Sequence, residues 1–162
     1  MCAVLAAGVL AGCEIGVEHS PEAAATQSSG QVTVARGHLK FVEGYTAGFG
    51  QAAAEGKPML LFFTAPWCTF CHQMADEAFT HPQVVSLSER FVCVLIDVDN
   101  EPDVCRQFQV SRYPTIQFVS TRGLALERIV GKRPGHQLMI AMQTALQSVA
   151  RQTDAAEDRE IH

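Results

Sequence analysis

With 162 residues, 48% of them apolar, the chain carries enough hydrophobic material for one domain with a buried core. Its formal net charge of −5 supplies no basic patch, which excludes a nucleic-acid binder that relies on attraction to phosphates. No internal repeat is present.

The segment Met1 to Leu10 is apolar and rich in small residues. At about ten residues it is too short to span a bilayer and suits the apolar core of a secretion signal, although no Lys or Arg precedes it. It ends in Leu10-Ala11-Gly12-Cys13, which resembles the bacterial lipobox. That resemblance implies cleavage before Cys13, with lipid on its sulfur. Residues 14–35 are rich in Ala, Ser, Gln, Glu and Gly, with too few large apolar groups to offset ordering entropy. They are expected to form a flexible tether between a 1–13 signal segment and a folded domain over 36–150, followed by a disordered, charged tail over 151–162. The expected location is the cell envelope, on the periplasmic side and lipid-anchored to a membrane.

Within the domain, Phe41, Tyr45, Phe49 and Ala53 recur every fourth residue and predict a helix, interrupted by Gly44, Gly48 and Gly50. Met59–Thr64 is a buried strand. Cys71, Met74, Ala75, Ala78 and Phe79 follow the stripe of a core-facing helix that Pro82 ends. Phe91–Val98 is too continuously apolar for a strand with one wet face, so it belongs in the middle of a sheet. Pro102 opens a short helix through Phe108. Thr115–Ser120 and Ala125–Val130 pair around Arg122-Gly123, and Leu138, Met142, Leu146 and Val149 mark a last amphipathic helix. The pattern predicts an α/β domain, a mixed central sheet with helices on both faces.

Chemistry concentrates in Trp67-Cys68-Thr69-Phe70-Cys71. The preceding strand and following helix put Cys68 at a helix N-terminus, where free N–H groups and the helix dipole favour a thiolate. Cys68 is therefore the candidate nucleophile, expected to be exposed and acidic. Cys71, one turn on and shielded on the apolar stripe, is placed to attack the mixed disulfide that Cys68 forms. Two other readings of the pair exist. Zinc needs two further ligands at matching spacing, and Cys93 and Cys105 do not form a second pair, so no metal site is assigned. His72 completes C-x-x-C-H, the covalent haem signature, which belongs to helical folds rather than to a strand–turn–helix context. Cys93 sits in an apolar run and Cys105 in a helix first turn, both as packing residues. Asp97 and Asp99 are expected to end their strand and cap the turn after it. Phe70 is either an apolar contact for a partner or a half-buried packing residue.

With Trp67 before the first cysteine and Tyr113-Pro114-Thr115 some forty residues after the second, the chain resembles a thioredoxin-family domain over roughly 41–150. The lead-in Ala52-Ala53-Ala54-Glu55-Gly56-Lys57-Pro58, the stretch Phe79-Thr80-His81-Pro82-Gln83-Val84 and Gly131 are similar to the subgroup that includes the C-terminal domain of DsbD-type reductases. The resemblance implies the thioredoxin fold, a cis bond at Tyr113-Pro114, and substrate binding by Trp67, Tyr113 and Pro114, the backbone around Pro114 pairing with the substrate chain. Two departures stand out. Phe62 occupies the position of the family's buried Asp, and Leu95 that of its Lys partner. Thr69-Phe70 replaces the Gly-Pro of thioredoxin.

The expected function is a thiol–disulfide oxidoreductase of the bacterial cell envelope, reducing or relaying electrons to protein disulfides through Cys68 and Cys71. No cofactor is expected beyond the thiols. The expected partners are protein disulfide or dithiol substrates, a membrane thiol reductase as electron donor and the membrane itself. The alternatives are a non-catalytic binding module of the same fold, and a haem protein using Cys68 through His72.

Overall fold

The computed structural model describes residues 32–160. The expected signal segment, Cys13 and the tether up to residue 31 lie outside the described residues. Six strands, β1 Thr33–Arg36, β2 Leu39–Glu43, β3 Met59–Thr64, β4 Val92–Asp97, β5 Thr115–Val119 and β6 Ala125–Val130, form one sheet in the order β1-β2-β4-β3-β5-β6. β4 runs parallel to both β2 and β3, while β5 is antiparallel to β3 and to β6. Five helices join them: α1 Tyr45–Glu55, α2 Thr69–Glu77, α3 Pro82–Ser88, α4 Pro102–Gln107 and α5 Gly135–Glu160. Parallel neighbours need a long crossover, and α2 with α3 supplies the one between β3 and β4.

The central strands are where the apolar runs placed them. All six residues of β3 are buried, because helices cover both faces of the sheet. On one face Phe79, just past α2, meets Phe62 edge-on at 4.9 Å and Phe41 at 5.5 Å. On the other, Phe108 at the end of α4 packs on Phe63 and Tyr45. The stripe Cys71, Met74, Ala75, Ala78 and Phe79 is buried throughout.

Four expectations fail at the edges. Phe41 belongs to β2, not to a helix with Tyr45 and Phe49: Gly44, at φ 90°, separates strand from helix, and Phe49 is 46% exposed. The inward face of α1 is instead Gly48 and Ala52. A Cβ at Gly48 would lie 2.3 Å from Val94 Cγ2, so the helix approaches β4 through its smallest residues. Second, Thr33–Arg36 is a strand paired with β2, so the folded unit begins before the expected boundary at 36. Third, Pro82 starts α3 as well as following α2, because a proline at a helix's first position loses no hydrogen bond. Fourth, α5 continues to Glu160 through the stretch expected to be a disordered tail from 151. Its Ala, Arg, Gln and Glu residues are good helix formers without an apolar stripe to announce them.

Gly48→Ala should lower stability by about 1–3 kcal/mol, the cost of overpacking, in urea unfolding. Gly50→Ala is the control, since nothing lies within 4 Å of a Cβ there. A pH dependence comes from Cys93, fully buried in β4, where desolvation pushes the thiol from 9.0 up to about 12. The unfolded chain loses this proton near pH 9 and the folded one holds it to about 12, so stability falls as pH rises across that window. Unfolding followed from pH 8 to 11 should show a downward limb that Cys93→Ala flattens.

Candidate active site

The end of β3 delivers Ala65-Pro66-Trp67 to the sheet's carboxyl edge, and α2 begins there. Cys68 is the N-cap of α2, in an extended conformation, and its Sγ accepts the Cys71 N–H at 3.2 Å. Its carbonyl accepts the His72 N–H at 3.2 Å. The cap position is normally held by Ser, Thr, Asp or Asn, so sulfur here takes the role of a capping oxygen. Cys68 and Cys71 are joined as a disulfide with Cα atoms 5.2 Å apart, which makes this the oxidised state. His72 donates through Nε2 to the Pro66 carbonyl at 2.9 Å, fastening the first turn of α2 to the strand exit.

Cys68 faces a groove of about 750 Å³ that Trp67, Phe70, Arg112, Tyr113, Val130 and Gly131 help to line. Cys71 is 2% exposed and does not reach the groove. Cys68 itself is only 6% exposed, less than expected for the attacking thiol, because it sits at the floor of that groove rather than on an open surface. Phe70 stands 60% exposed and Trp67 63%, so both present apolar surface to solvent at the groove. Trp67, Cys68 and Tyr113 line this groove together, Cys71 is bonded to Cys68, and Pro114 follows Tyr113 in the chain. The Tyr113-Pro114 peptide is cis, as the resemblance implied. The Tyr113 ring meets Trp67 edge-on at 5.9 Å.

Two supports behind this wall were not legible as site residues. The Trp67 indole N–H donates to Asp99 Oδ2 at 2.9 Å. The expected strand-end cap falls to Asp97 alone, which accepts the Asp99 N–H and the Asn100 amide. The Tyr113 side chain lies beside the buried Cys105 thiol, and burial raises the pKa of both groups. Cys105 thus packs behind the groove.

In the sheet core, Phe62 and Leu95 are register partners across β3 and β4, 1% and 3% exposed. The acid–lysine pair of the resemblance is replaced on both strands by packed hydrocarbon. No ionisable side chain at these two positions is available to exchange the Cys71 proton.

A family model described as thioredoxin-like matches residues 40–121. A thioredoxin of Alicyclobacillus acidocaldarius subsp. acidocaldarius is 30% identical over 105 residues, covering 62% of this chain and 93% of that protein. A probable protein disulfide-isomerase A6 of Medicago sativa is 30% identical over 90 residues, 56% of this chain. The chain spans only a quarter of that relative's length (25%), so the likeness is to one domain of a longer protein. Among solved structures, a thioredoxin from Thermus thermophilus superposes with a TM-score of 0.59 at 26% identity, over 65% of this chain and 85% of its own.

Proposed function

The chain belongs to the thioredoxin-like family, and on that premise we propose that it is a thiol–disulfide oxidoreductase that reduces protein disulfides. The observation that carries the reading is a sulfur serving as helix N-cap on the floor of an apolar groove, with its resolving partner one turn behind. The sheet-built fold also sets aside the haem reading of Cys68 through His72, which requires a helical domain. The intact cysteine pair speaks against a pure binding module.

Starting from the reduced pair, the Cys68 thiolate attacks one sulfur of a substrate disulfide. A Cys68–substrate disulfide forms, and the first substrate sulfur leaves as a thiolate that takes up a proton. Cys71 then loses its proton and attacks Cys68 Sγ. The Cys68–Cys71 disulfide forms and the second substrate thiol departs, so two electrons and two protons have passed to the substrate. Trp67, Tyr113 and the backbone at Pro114 hold the substrate chain over the groove during both steps. With no acid or lysine at positions 62 and 95, Cys71 exchanges its proton with water or with the departing thiol.

The reducing direction is supported by Thr69-Phe70, which places no charged group between the cysteines. No charge within the turn then adds to the N–H groups and dipole of α2 in holding the Cys68 thiolate, so the reduced form is less favoured than with a cation there and the pair is the better donor. Equilibration with glutathione should give a midpoint nearer to about −270 mV than to about −120 mV. A midpoint at the oxidising end would make the protein an oxidant. The proposed setting is the cell envelope, supported by Leu10-Ala11-Gly12-Cys13, with lipid on Cys13 and electrons supplied by a membrane thiol reductase. Mass spectrometry of membrane fractions should find the chain starting at lipidated Cys13; an unprocessed soluble chain from Met1 would refute the anchor.

A further inference from the structure

Beside the cysteines the surface charge is opposite to that of the chain. A second hollow of about 320 Å³ adjoins the groove and shares Ser111, Arg112 and Val130 with it, while Arg128 stands in its far wall. No Asp or Glu lines either hollow, although acidic residues outnumber Lys and Arg by 17 to 12 in the chain, and the acid at the rim, Asp99, is engaged by the Trp67 indole. Among the described residues the ion pairs are Lys57–Glu55, Arg106–Asp103 and Lys132–Glu77, and none involves Arg112 or Arg128.

Arg128 is held rigidly but by neutral acceptors. Its Nε donates to Gln117 Oε1 at 2.6 Å, and one terminal nitrogen donates to the Phe108 carbonyl at 2.6 Å. Gln117 is 1% exposed and its amide nitrogen donates to the carbonyls of Phe118 and Leu126, so this anchor is fixed in turn. The bonds orient the guanidinium and leave its charge uncompensated, with donors to spare. Arg112, exposed and next to Tyr113, adds a second cation at the junction of the two hollows.

We propose that Arg112 and Arg128 are specificity-determining residues that select protein substrates carrying acidic residues beside the target cysteine. The inference rests on the disulfide reductase function proposed above. A substrate chain with its sulfur at Cys68 occupies the groove, and its neighbouring residues continue past Arg112 into the second hollow, where a carboxylate meets the two guanidinium groups.

The test uses the full chain, reduced, with two peptide disulfides identical except that Glu beside the target cysteine is replaced by Lys. A neutral small disulfide, hydroxyethyl disulfide, is assayed in parallel. The Glu peptide should be reduced with kcat/KM about fivefold higher at low salt, as two partly exposed ion pairs allow. The ratio should approach one in about 0.5 M salt, where the screening length is a few ångströms. It should also approach one in the double variant Arg112→Gln and Arg128→Gln, and persist in Arg112→Lys. A ratio near one in the parent chain, with the neutral disulfide still reduced, overturns the selection and leaves the reductase function standing. Failure to reduce all three disulfides overturns the function itself, and the selection with it.

Discussion

Cys68→Ser should abolish disulfide reduction, by about a thousandfold or more, while leaving the fold intact. A serine hydroxyl still accepts the Cys71 N–H as an N-cap, so α2 keeps its start, but it does not ionise near neutral pH and cannot attack sulfur. Cys71→Ser should behave differently. Cys68 still attacks, nothing resolves the product, and the substrate accumulates as a mixed disulfide visible on non-reducing gels. Circular dichroism with an insulin-type reduction assay separates loss of chemistry from loss of fold. Mixed disulfides in the Cys68→Ser chain, or their absence in the Cys71→Ser chain, would reverse the two roles.

Phe62→Asp should cost about 3–5 kcal/mol at neutral pH, a large part of the stability of an ordinary domain. Position 62 is 1% exposed, and its neighbour across the strands is Leu95, so a carboxylate there has no cation to face. The sign with pH follows from desolvation. Burial raises the carboxyl's folded pKa above its unfolded value of about 3.9, so the loss is smallest in acid and grows as pH rises through that range. Urea midpoints at pH 4 and pH 8 measure it, and Leu95→Lys in the same chain should return part of the loss at pH 8. An unchanged midpoint at pH 8 would mean that water reaches position 62.

Both predictions come from residues that the sequence displays locally, and so did most of the site. Cys68, Cys71 and Trp67 are adjacent in the chain, and Tyr113-Pro114 announces itself by its proline. β3 and β4 were legible because burial on both faces demands unbroken apolar runs. The hairpin β1–β2 was not, because β1 alternates exposed with partly buried residues over only four positions. Phe41 then fell by coincidence into a helical spacing with residues across a glycine. α1 hid its inward face for a related reason: its approach to β4 is made through Gly48, which a hydrophobicity pattern cannot register. Asp99, Arg112 and Arg128 come from the exits of β4 and α4 and from β6, and nothing in their local sequence shows that they converge.

The short turn after β4 has an architectural consequence. Asp97 folds the turn on itself, Asp99 steadies the indole of Trp67, and Glu101 accepts the Tyr45 N–H at 2.9 Å, capping α1 where Gly44 offers no side chain. Three consecutive odd-numbered acids thus act as a gauge block between the rim of the groove and the far-side helix. The number of residues between Asp97 and Glu101 fixes both at once. Lengthening that turn by one residue would shift the indole and the start of α1 together, so a variant of this domain with a differently shaped groove has to rebuild the seat of its first helix as well.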